Sequence, residues 1–109
     1  MPLALKLTSI AAGAALVRVT DNDAILHGGC DPASGQLFSD VWALNLESMT
    51  WTRLEADGLV ARHALQGIAL PNGSILYIGG STKDGPTLQP QLLQRAGAAC
   101  TVTDVTTAR

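Results

Sequence analysis

A chain of 109 residues with 47% hydrophobic residues has the length of one globular domain and too much apolar content for a disordered segment. Seven Lys and Arg against nine Asp and Glu give a net charge of -2, and the scattered basic residues exclude a surface built to follow a phosphate backbone. Cys30 and Cys100 belong to no C-x-x-C pair and to no Cys/His set with metal-ligand spacing, so both read as free thiols of a reducing compartment.

In chain order, residues 1–8 read as a lead-in. The apolar run 10–17 contains Ala12-Gly13-Ala14, which loosely resembles a signal cleavage site, but no Lys/Arg-rich segment precedes it and it is far too short to span a bilayer. It reads instead as the approach to a first strand over 14–20, joined by the turn Asp21-Asn22 to a second over 24–28. A third strand is predicted over 41–46 and a fourth over 50–54. Further on, strands are predicted over 65–70 and 74–79, and Asn72-Gly73 between them is the signal of a type I′ hairpin turn. The segment 85–97 is ambiguous. Pro86 and Pro90 interrupt it, a strand fits near Leu92-Leu93, and the spacing of Leu88, Leu92 and Ala96 equally suits a short helix starting at Pro90. A last strand is predicted over 101–105.

The strands repeat. Gly28-Gly29 closes the run Ala24-Ile25-Leu26-His27, and Gly79-Gly80 closes Ile75-Leu76-Tyr77-Ile78, an offset of 51 positions. The same offset sets Val17 and Val19 on Ile68 and Leu70, Leu37 on Leu88, and Thr50-Trp51-Thr52 on Thr101-Val102-Thr103. Apolar falls on apolar and turn on turn, so one unit occurs twice, over 9–58 and 59–109. Ala24-Ile25-Leu26 and Ile75-Leu76-Tyr77-Ile78 are apolar on both faces, which suits sheets covered on both sides.

A period near 50 residues with an apolar strand ending in two glycines resembles the kelch repeat. Asp40-Val41-Trp42 followed by Met49-Thr50-Trp51 matches the two aromatics of the family, on the third strand and at the start of the fourth. In the second unit Arg62 matches the Arg that opens a kelch blade, while Leu65 stands where a His is usual and Leu93 and Val102 replace the aromatics. The resemblance implies an all-β fold of two tandem four-stranded antiparallel kelch-type blades, an incomplete β-propeller, since propellers take 4 to 8 blades. Two such blades leave apolar faces and edges uncovered, so further blades or self-association are expected to close the assembly.

Individual residues read as structural. The paired glycines Gly28, Gly29, Gly79 and Gly80 lack the context of a phosphate loop and serve tight turning and close packing. Trp42 and Trp51 are expected to fill space between neighbouring blades. His27 and His63 are expected to be hydrogen-bonded structural residues, and Asp40 to cap turn N–H groups ahead of the third strand. Arg62 is expected to reach a neighbouring loop or carbonyl, and Asn72-Gly73-Ser74 fits a glycosylation acceptor only formally.

No catalytic, cofactor-binding or metal-ligating set is predicted. The expected function is a non-catalytic protein-interaction module that presents loops to a partner protein, with no nucleic acid or membrane as partner, in the cytoplasm or nucleus. The loops 30–39 and 81–90 are the longest in each unit and are the expected contact surface. The alternative is an accessory propeller segment of an enzyme, methyltransferase- or oxidase-linked, whose catalytic part lies elsewhere. Copper radical oxidases, which some kelch-type propellers resemble, need a Cys crosslinked to a Tyr, two His and a second Tyr, and this chain has only Tyr77. A third reading is a segment with no independent activity.

Overall fold

A computed structural model describes residues 12–105, so the lead-in 1–8 lies outside the described residues. Ten strands and no helix are present among them. β1 (Ala15–Arg18), β2 (Asp23–His27), β3 (Val41–Asn45) and β4 (Thr50–Leu54) form one antiparallel meander in that spatial order. β5 (Gln66–Ala69), β6 (Ile75–Ile78), β9 (Gln91–Ala96) and β10 (Ala99–Asp104) form a second with the same order. A small hairpin of β7 (Ser81–Thr82) and β8 (Gly85–Pro86) stands in the connection between β6 and β9.

The register confirms the repeat for the first two strands of each sheet. Val17 faces Ile25, and Ile68 faces Leu76, both displaced by 51 positions. The third strand breaks the count. Trp42 faces Leu26, and Gln91 faces Tyr77, so Trp42 and Gln91 are equivalent at a separation of 49. The connection before the third strand is therefore two residues shorter in the second sheet, and the β9–β10 hairpin regains them, since Leu44 faces Trp51 and Leu93 faces Val102. This corrects the sequence alignment of Leu93 with the first aromatic: Gln91 holds that place. It also corrects the helix at Pro90, because the apolar residues Leu92 and Leu93 sit on opposite faces of a strand held on both sides by ladders.

Turn geometry departs from expectation in one respect. Asn72 is not in the left-handed region; Gly73 alone is, at φ 86°. Gly73 N–H donates to the Leu70 carbonyl and Leu70 N–H to that of Ser74, giving a turn around Pro71-Asn72 followed by a left-handed glycine, the alternative to type I′. Pro71 favours it by presetting its own φ. Asp21 and Asn22 are also outside the left-handed region. Between β3 and β4, Asn45 Oδ1 accepts from the N–H groups of Glu47 and Ser48 and fixes the turn.

The two sheets pack face to face. Because side chains alternate along a strand, Ala15, Val17, Ile25, Val41, Ala43 and Leu54 share one face of the first sheet. They form a single buried cluster with Ile75, Tyr77 and Leu93 from one face of the second, with Leu59 and Leu65 of the linker completing it. The approach is closest at the inner strands: a Cβ on Gly67 of β5 would lie 2.5 Å from Val17 Cγ2. Trp42 and Trp51 lie on the opposite face of the first sheet, so neither wedges between these two sheets, contrary to expectation.

The linker 55–65 is tied at both ends. Glu55 pairs with the edge of β10 through Glu55 N–H to the Ala98 carbonyl and Cys100 N–H to the Glu55 carbonyl. Gly29 N–H donates to the Arg62 carbonyl at 2.8 Å, and a Cβ on Gly28 would sit 2.7 Å from that same oxygen. With Gly28 at φ 82°, close packing and backbone conformation both require glycine there.

Candidate functional site

Two connections of the same kind, 28–40 in the first sheet and 79–90 in the second, are brought side by side by the linker. His63 exchanges backbone hydrogen bonds with Ser81, and Ala64 N–H donates to the Gly13 carbonyl, which seats the linker between the two loops. The first loop is shaped by Asp31, whose carboxylate accepts from Ala33 N–H and from Ser34 Oγ. The second is shaped by its hairpin, where Thr82 Oγ1 donates to the Gly85 carbonyl and accepts from Asp84 N–H.

Between them lies an open groove of about 630 Å³. Leu37, Val60 and Ala61 give it an apolar floor, Gln36 stands on one rim, and Lys83 and Asp84 stand on the other. His63 lines it too, and its buried Nδ1 has no hydrogen-bond partner among the described residues. The long loops expected to carry contacts are thus the two walls of one groove.

Beneath the groove, Arg62 is fully buried. Its Nη1 donates to the carbonyls of Gln89 at 2.7 Å and Gly79 at 3.2 Å, which places it on carbonyls of the neighbouring loop as the sequence suggests. Burial pulls the guanidinium below its ordinary pKa. Gln91 completes the anchor. Its Oε1 accepts from Val60 N–H at 2.9 Å, and its Nε2 donates to the Gly58 carbonyl and to Asp104 Oδ1. The residue that holds the groove floor in place is therefore one that sequence reasoning overlooked; no polar motif marks it.

His27 is fully buried and packs against Tyr77 across the two sheets, ring centroids 4.6 Å apart and the planes tilted by 59°. Its Nδ1 lies 3.4 Å from the Asp40 carbonyl, and its Nε2 has no partner among the described residues. Burial, which outweighs that backbone contact, lowers its pKa to about 4, with the nearby Arg62 charge acting in the same direction. Burial likewise raises the Tyr77 hydroxyl. A neutral imidazole against an apolar ring serves packing. Asp40 does not cap a turn; its carboxylate accepts from Trp42 Nε1 at 2.7 Å. Cys30 and Cys100 are free and half-buried. Among the described residues no group of three His, Cys, Asp or Glu is placed to hold a metal, and no helix is long and apolar enough to cross a membrane. No family model matches the chain, and no curated protein is significantly similar to it.

Proposed function

We propose that this chain is a pair of kelch-type propeller blades acting as a non-catalytic protein-interaction module, with an extended segment of a partner protein as the occupant of the groove between loops 28–40 and 79–90. The observation that carries this reading is the convergence of the two longest connections on one apolar-floored groove. Leu37, Val60 and Ala61 suit one apolar anchor side chain, while Gln36, Lys83 and Asp84 offer polar contacts at the rim, the usual division between affinity and orientation in a peptide site. The loops are mounted on two packed sheets, and Arg62 and Gln91 fix the linker beneath, so the groove is preformed and little ordering entropy opposes binding.

The test is selection of peptides from a displayed library on the purified chain, followed by amide chemical-shift mapping. A selected peptide with an apolar anchor is expected to perturb Gln36, Leu37, His63 and Lys83, and Leu37→Asp is expected to weaken it at least tenfold. Shifts confined to other surfaces, or binding indifferent to Leu37→Asp, would overturn the assignment.

A further inference from the structure

The packing of the two sheets has a direction. The first sheet uses the face bearing Val17 and Ile25, and the second uses the other kind of face, bearing Gly67, Tyr77 and Leu93. Each sheet therefore keeps the face that its neighbour employs. On the second sheet that remaining face carries Ile68, Leu76, Ile78 and Leu92, the equivalents of Val17, Ile25, His27 and Ala43. Ile68 is 48% exposed and the other three are only partly covered. On the first sheet it carries Leu16, 58% exposed, with Trp42 and Trp51 partly covered on β3 and β4 and Leu26 and Leu44 buried on the same face.

We propose that a second copy of this chain packs head to tail on the first, the Ile68 face of one copy against the Leu16 face of the next. One further feature of the second sheet names the same occupant. Gly28 is covered by Arg62 and Leu65, whereas its equivalent Gly79 has nothing among the described residues within 4 Å of a Cβ position. The residue 51 positions before Leu65 is Ala14, so the corresponding segment of another copy fits there. The contact is heterologous, each copy offering two different surfaces, so assembly continues until a ring closes or a filament forms. It is not an exact copy of the internal packing. Gly67 admits Val17, while between copies Leu16 and Ile68 meet, so adjoining inner strands stand further apart than β1 and β5.

The inference rests on the equivalence of faces and of Gly28 with Gly79, and is independent of the groove's occupant. Sedimentation velocity on the 109-residue chain tests it. The unmodified chain is expected to gain mass with concentration. Ile68→Glu and Leu16→Glu, both at exposed positions that leave the fold unchanged by circular dichroism, are each expected to remain monomeric. Mixed together they are expected to form a one-to-one dimer and nothing larger, because one retains the Leu16 face and the other the Ile68 face. A chain monomeric at all concentrations, a variant that assembles alone, or a mixture that stays monomeric overturns the proposal.

Discussion

Gln91 holds in the second sheet the position that Trp42 holds in the first, one facing Tyr77 and the other Leu26. The exchange follows from which face is used. Trp42 lies on a face turned away from the second sheet, where an indole covers apolar area and binds Asp40. Gln91 lies in the packed interface, 1% exposed, where an amide with two donors and an acceptor ties the linker through Gly58 and Val60. Gln91→Leu leaves those backbone groups unpaired and removes one contact of Arg62, and is expected to cost about 3 kcal/mol in urea unfolding. A loss below ~1 kcal/mol would mean that water replaces the amide.

The strands of the first sheet were legible because each is bounded by a turn signal, and Gly28-Gly29 against Gly79-Gly80 made the offset visible. The third strand of the second sheet was not. Its two-residue shift hides the equivalence of Trp42 and Gln91, and Leu88, Leu92 and Ala96 fit helical spacing until the ladders to β6 and β10 choose between the readings. The Asp84-Gly85 pair is a turn signal that marks the β7–β8 hairpin within the loop 81–90. Loop length pointed to the two walls of the groove, but their convergence depends on where the linker lies. The His27–Tyr77 contact was invisible for the same reason: it joins residues that only sheet packing brings together.

The approach of β1 and β5 predicts a coupled pair. Gly67→Ala drives a methyl into Val17 and Tyr77 and is expected to cost about 2 kcal/mol, in the range of core overpacking. Val17→Ala opens space at the same point and costs a similar amount as a lost buried group. The double variant is expected to lose about 1 kcal/mol less than the two single losses combined, as a double-mutant cycle by denaturant unfolding would show. Strict additivity would place Val17 and Gly67 out of contact.

Gly28 and Gly79 share a left-handed backbone, φ 82° and 80°, but not surroundings. Gly79→Ala is expected to cost only the conformational penalty, about 1 kcal/mol. Gly28→Ala adds an overlap with the Arg62 carbonyl and Leu65 and is expected to cost about 3 kcal/mol. Measured as unfolding midpoints on the Ile68→Glu background, which is expected to hold single chains, the difference isolates the packing term. Equal losses would show that the linker yields at no cost.

His27 makes stability depend on pH in a definite direction. Its pKa is about 4 in the folded chain and near 6.5 when unfolded, because burial disfavours the imidazolium and Arg62 adds to that effect. Between those values the unfolded chain binds a proton that the folded chain does not, so stability rises with pH across the window and is lost as pH falls through it. A shift of that size corresponds to about 3 kcal/mol over the whole interval. Carboxylates with ordinary values titrate mostly at the lower end, so the upper part of the window, from about pH 6.5 to 5, belongs to histidine. Urea unfolding of the unmodified chain is expected to weaken steadily over that range, and His27→Gln, which removes the titrating ring, is expected to flatten the dependence whatever its effect on stability at neutral pH. A slope unchanged in His27→Gln would show that the imidazole accepts its proton without leaving its place against Tyr77.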